Sequence, residues 1–223
     1  VGEPRLFELE DFLRAAGPAL RPGGTTLTAL ALEHCRLPEG ALVADVGCGR
    51  GASLALLEGK GFRAVGIDPS AALLSQAPRE APGARLALGR AEALPFKPGR
   101  FAAAFCECVL SLTADPLRAL REIRRVLAVG GFLALSDLYL RDPQAGGAEP
   151  PPGCASGTVS RQTLEERLRQ AGFAVLVFVD HSRLLAELAG RLLFAGLSIK
   201  DLGLGGPCRG RPGYCLCIAQ RED

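Results

Sequence analysis

Tryptophan is absent, tyrosine occurs twice, and aromatic residues make up 5% of the chain. Stacking of a flat aromatic acceptor or a nucleobase is therefore disfavoured, because such recognition needs aromatic platforms. An excess of one charge is also missing: 26 Lys and Arg stand against 24 Asp and Glu, a formal net charge of +2. The arginines are spread along helical faces rather than gathered in a block, so no nucleic-acid partner is expected. No apolar run is long enough to span a bilayer, and "VGEPRLFELEDFLRAA" is charged and amphipathic. Neither a membrane span nor a signal peptide is read, and a cytoplasmic location is expected. There is no C-x-x-C pair, and histidine occurs twice. A structural zinc site is thus poorly supported, and no metal is expected.

What is present fits a soluble globular chain: 223 residues, 48% hydrophobic and 22% charged. A single domain over 1–223 is expected. Eight cysteines stand at 35, 48, 106, 108, 154, 208, 215 and 217. Cys106/Cys108 and Cys215/Cys217 lie in apolar runs that read as strands, where alternate residues share a face. Core packing is their expected role. The alternative is a soft-substrate site for arsenite or selenide, with Cys106 and Cys108 flanking Glu107 and Cys154 in a loop above.

Hydrophobic periodicity divides the chain into alternating elements. Amphipathic helices are expected over 4–17 and about 25–35, joined through "RPGG". His34 reads as a helix-end or surface residue. "ALVADVG", "RAVGID", "ARLALGRA", "FAAAFCECVLSL" and "FLALSDLYL" read as five strands. Between them come the helices "GASLALLEGKG", "PSAALLSQAPR" and "DPLRALREIRRVLAVGG", the last stopped by its glycine pair. Strand–helix alternation of this kind predicts a parallel sheet covered on both faces. A loop at 141–158 reads as a functional lid or a disordered segment. A helix follows it, then the strand "FAVLVFVD", an apolar helix over 183–197 and the strand "YCLCIAQ". The last two strands are expected side by side at the sheet edge, one of them antiparallel.

The stretch "ALVADVGCGRGAS", residues 41–53, carries the chemistry. Gly47, Gly49 and Gly51 permit positive φ and close backbone approach where a strand turns into a helix. The free N–H groups there favour an anionic or polar ligand group. Read as G-x-G-x-x-A the stretch is a dinucleotide loop; read as D-x-G-x-G-x-G it is a methyl-donor loop. Asp68, ending "GID", suits a ribose diol in either case, with helix capping as its alternative role.

Three features favour the methyl donor: Asp45 two residues before the first glycine, "GRAEALPF" after the third strand, and "ALREIRRVLAVGGFLALSD" followed by a strand-rich end. On these motifs the chain resembles class I S-adenosylmethionine-dependent methyltransferases, of the small-molecule group that includes quinone-biosynthesis C-methyltransferases (methyltransferase type 11). The resemblance implies a Rossmann-like α/β three-layer sandwich with a seven-stranded, mostly parallel sheet and an antiparallel last strand. It implies S-adenosylmethionine as cofactor and S-adenosylhomocysteine as product. Asp45, Gly47, Cys48, Gly49 and Gly51 would line the methionine moiety. Asp68 would hold the ribose, Pro69, Ala91 and Glu92 would border the adenine, and Cys106 would offer backbone to the methionine part. Arg21, Pro22, Gly23 and Gly24 would form a lid. The chain departs from the group's pattern at Arg90 and Ala102, where aspartates are usual, and at "LAVGG", which replaces a lysine–proline turn.

The expected reaction is in-line methyl transfer to a small-molecule acceptor. Base candidates are Glu107, Asp137 and Tyr139, all near strand ends where open α/β sheets bind ligands, with His181 a weaker one. The expected layout is a helical lid over 1–38, a donor-binding core over 39–140, and a substrate-side loop, helices and closing strands over 141–223. Leu184, Leu185, Leu188, Leu192 and Leu193 suggest a greasy acceptor pocket or a buried or dimeric face, so monomer and homodimer both stay open. The alternatives are a non-catalytic donor-binding subunit or sensor and an NAD(P)-dependent oxidoreductase.

Overall fold

The computed structural model describes residues 10–142, 157–197 and 211–223. Cys154, Cys208, most of the loop 141–158 and the first part of the helix expected over 4–17 lie outside them. Two helices come first, α1 (Glu10–Ala16) and α2 (Thr26–Cys35). The apolar runs then form β1 (Leu42–Val46), β2 (Arg63–Asp68), β3 (Arg85–Leu88), β4 (Phe101–Glu107) and β5 (Leu127–Leu140). They are linked by α3 (Ala52–Gly59), α4 (Ala71–Leu74), α5 (Ala77–Glu80) and α6 (Pro116–Val126). The chain continues as β6 (Val159–Ser160), α7 (Arg161–Gln170), β7 (Phe173–Asp180), α8 (Ser182–Phe194) and β8 (Pro212–Arg221).

The strands order as β3-β2-β1-β4-β5-β8-β7, with β6 paired to β5 off this path. β1 to β5 run parallel, and β8 runs antiparallel to both β5 and β7. One apolar cluster joins the sheet to α6 and α7. A second joins the opposite face to α2, α3 and α8. This is the expected three-layer α/β sandwich, with the last strand antiparallel and the two-residue β6 as an addition too short to have a period. No helix among the described residues is long and apolar enough to cross a membrane.

Two local expectations are corrected. "PSAALLSQAPR" is not one helix but α4 and α5, because Pro78 cannot donate to the preceding turn and starts the second piece instead. The pair Gly130–Gly131 does not stop α6, which ends at Val126. Both glycines lie inside β5, at a register shift opposite Phe101 and Ala103. Gly130 has φ +72°, and a Cβ on Gly131 would come within 2.8 Å of the Ala128 carbonyl oxygen.

Candidate active site

The carboxyl ends of β1, β2 and β4 are neighbours in the sheet and carry Asp45, Asp68 and Glu107. After β1 the backbone N–H groups of Gly47 and Cys48 donate to Ile67 O at 2.7 and 3.1 Å, closing the loop onto β2. Gly47, Gly49 and Gly51 have φ of +79°, +52° and +87°, which L side chains rarely adopt. Any Cβ at Gly47 would lie 2.1 Å from Val109 Cγ2. Asp68 is held by Gly49 N–H, which donates to Oδ2 at 2.9 Å, and by Ser70 N–H, which donates to Oδ1 at 2.8 Å.

Glu107 sits in a buried polar network rather than as a free base. Arg21 Nη2 lies 2.8 Å from its Oε2, and the two side chains are 8% and 4% exposed. The same Nη2 is 2.7 Å from both Thr28 Oγ1 and Ser53 Oγ. Thr28 donates to both Glu107 oxygens at 3.0 Å, and Ser53 donates to Oε2 at 2.9 Å. One guanidinium therefore ties the N-terminal segment to α2, to the start of α3 and to the end of β4. Burial works against the Arg21 charge, but Glu107 and the nearby Tyr214 and Asp45 outweigh it and raise its pKa.

The other two base candidates are also committed. Asp137 accepts from Ser111 N–H at 2.9 Å, Ser111 Oγ at 2.6 Å and Leu138 N–H at 2.7 Å. Its pKa is raised by burial, which those donors oppose. It thereby pins the 3-10 turn Leu110–Leu112. Tyr139 turns away into the core, donates to Asp180 Oδ2 and packs edge-on against Phe178.

A cavity of about 590 Å³ opens above these strand ends. Among the expected residues, Gly47, Cys48, Gly49, Asp68, Pro69, Ala91, Glu92, Arg21, Pro22, Glu107 and Asp137 line it. Asp45, Gly51, Cys106, Gly23, Gly24, Tyr139 and His181 are not in its lining. Cys106 is fully buried in the core, Gly51 faces Ala77 at the start of α5, and Gly23 is packed against Leu184. Cys108, half-buried at φ +58°, lines the cavity in place of Cys106, and its Sγ is 3.1 Å from Tyr214 Oη. Arg90 lines it too, 3.4 Å from Glu92. Sequence reasoning missed Thr28 and Ser53. Neither belongs to a motif, although Ser53 stands two residues after the last loop glycine. It also missed Phe12, Leu20 and Leu138, which read as ordinary core.

Residues 44–135, from the glycine loop through β5, match a family described as methyltransferase domain. Over that stretch the chain is similar to class I methyltransferase domains. This decides the glycine loop in favour of the methyl donor over the dinucleotide. The 2-methyl-6-phytyl-1,4-hydroquinone methyltransferase of Synechocystis sp. is 29% identical to this chain over 175 residues, covering 74% of it and 52% of that protein. The 18S rRNA (guanine-N(7))-methyltransferase bud23 of Schizosaccharomyces pombe is 28% identical over 169 residues, covering 70% and 58%. The solved structure of the 4+2 cyclase SpnF superposes with a TM-score of 0.70 at 28% identity, covering 88% of this chain and 80% of that one. The chain thus spans a little over half the length of these two curated relatives. A domain of this class serves both quinone and RNA acceptors in its relatives, so the acceptor must be argued from the cavity.

Proposed function

We propose that this chain transfers the methyl group of S-adenosylmethionine to a small, largely apolar acceptor, leaving S-adenosylhomocysteine. The observation that carries this reading is that one cavity is lined both by the glycine loop and Asp68 and by the apolar Phe12, Leu20, Leu138, Leu185 and Leu188. Its volume of about 590 Å³ falls within the usual range for small-molecule sites.

The residues present fit the donor. The positive-φ loop allows close backbone approach, and an Asp68 carboxylate fixed by two backbone N–H groups suits a diol. Buried polar atoms without hydrogen-bond partners surround the loop: Asp45 Oδ2, Arg21 Nε and Arg50 Nε. Such a set suits a ligand with both cationic and anionic groups. When bound, the donor supplies an electrophilic methyl on a sulfonium. The chain's part is to align the acceptor and exclude water, and proximity of this kind accounts for much of the rate in a two-reactant displacement. Glu107 is read as a positioning residue, since Arg21, Thr28 and Ser53 hold its carboxylate.

The test is calorimetric titration with S-adenosylhomocysteine, followed by a mass-spectrometric screen of apolar acceptors with S-adenosylmethionine. Micromolar binding that is lost in Asp68→Ala, with a product 14 Da heavier than its acceptor, is expected by the ~14 Da mass of one added CH₂. Binding without transfer to any acceptor would leave a donor-binding subunit, and methylation of RNA alone would overturn the acceptor class.

A further inference from the structure

Behind the glycine loop, three carboxylates stand at the ends of neighbouring strands, and one buried cation, Arg21, lies against Glu107. In register, Val46 pairs with Ile67 and with Cys106, so Asp68 and Glu107 each stand one residue beyond the partners of the strand that carries Asp45. Glu107 is matched by Arg21 at 2.8 Å, and Asp68 accepts two backbone N–H groups. Asp45 differs: it is 2% exposed, and its Oδ2 has no hydrogen-bond partner. A buried carboxylate held this way is strongly disfavoured in its charged form unless a proton or a cation joins it.

The charged groups facing Asp45 come from three elements: Glu107 on β4, Asp68 on β2, and Arg21 on the N-terminal segment. The nearby thiols of Cys48 and Cys106 are held far above their usual pKa by burial and add no charge near neutrality. Burial, reinforced by Glu107, pushes Asp45 up to about 8 against the opposing pull of Arg21. S-adenosylmethionine carries a sulfonium and an ammonium against one carboxylate, one net positive charge. We infer that Asp45 is a proton–cation exchange site, which holds a proton in the donor-free protein and releases it when the cationic donor enters. This rests on the donor reading above. The balance is simple: a carboxylic acid and a cationic donor become a carboxylate, the bound cation and one proton passed to buffer.

The experiment is calorimetric titration of the whole chain with S-adenosylmethionine at pH 7, in phosphate and in Tris. A proton released on binding is taken up by the buffer and adds the buffer's protonation enthalpy to the observed heat, so the heats in the two buffers should differ, with Tris giving the more exothermic signal. Affinity should tighten by up to about tenfold per pH unit between pH 6 and 8 and level off above. Asp45→Asn should bind with the same heat in both buffers and an affinity flat in pH. Binding with equal heats in the two buffers for the parent chain overturns the inference while sparing the donor reading, and the parent measurement needs no variant to fold. An equal proton count in Asp45→Asn overturns it as well. Absence of any binding overturns the donor reading itself.

Discussion

Replacing Glu107 by alanine would leave the Arg21 guanidinium buried without its counter-charge. Breaking one side of a buried pair costs about 3–5 kcal/mol. The network borders a cavity that water can fill, so we take the lower bound, about 3 kcal/mol. For a chain of this length each kcal/mol moves Tm by about 2–4 °C, so a fall of about 6–12 °C is expected. The pair is 8% and 4% exposed, so the loss should be nearly the same at low and high salt. Removing both charges, with Arg21→Met and Glu107→Leu together, should recover most of the loss, because apolar groups of similar volume replace a buried pair at little net cost. Scanning calorimetry on the parent, both singles and the double checks this. A Glu107→Ala protein melting within about 2 °C of the parent, or a double no better than the singles, would refute the reasoning. Glu107→Gln separates tether from base. A lost general base lowers kcat by roughly 10²–10⁴ with donor affinity intact, whereas a loosened tether weakens donor binding and leaves kcat at saturating donor within a few-fold.

Gly47→Ala should abolish donor binding and lower Tm, since its Cβ meets Val109 Cγ2 at 2.1 Å and φ is +79°. Adding Val109→Ala should relieve the clash but not the backbone strain, giving partial recovery by titration and melting. Asp137→Ala strands the buried Ser111 N–H and should cost about 1–3 kcal/mol, read by denaturant unfolding with unchanged m. In peptide mapping after iodoacetamide, Cys108 should be modified first among the described cysteines. Cys35, Cys48, Cys106, Cys215 and Cys217 are buried, and burial pushes Cys35 and Cys217 up to about 12. Equal early labelling of Cys215 would contradict this. Asp45→Asn should raise the Tm of the donor-free chain more at pH 9 than at pH 5. A carboxyl raised from 3.8 to about 8 withdraws stability as pH climbs through that interval, and asparagine does not ionise.

The donor half was legible because its physics is local. A strand ending in glycines, an acid closing the next strand and a helix opening on Ala52 all appear within residues 41–68, and β2 runs over the six residues expected of it. The helix after Asp115 was legible for the same reason, with Pro116 in its first turn and an Asp115 side chain that accepts from Arg118 N–H. Misreadings arose where one residue type serves two purposes. Gly130 and Gly131 look like a helix stop, yet they answer a register shift between β4 and β5 that only the paired strand reveals. Likewise Cys106 and Cys108 alternate as a strand pair should, but β4 ends at Glu107 and Cys108 takes φ +58°. One thiol therefore enters the core while the other reaches the cavity.

The apolar lining of the cavity was not legible, and the reason is physical rather than a lack of motifs. Its walls come from Phe12 and Leu20 before the first strand, Leu138 near the end of β5, and Leu185 and Leu188 on α8. Each is an apolar residue at helix or strand spacing, indistinguishable in sequence from packing. What separates them is assembly: Phe12 and Ala16 of α1 pack with Leu188 and Leu192 of α8 in a small cluster apart from the two main cores. This cluster brings the N-terminal segment over the strand ends, and Arg21 fastens it there through Glu107. An ion pair with Arg21 therefore ties this segment to the end of β4, beside the glycine loop. Any rearrangement that frees Arg21 also bares Glu107 beside Asp45, which disfavours the open form unless a proton or a cation compensates.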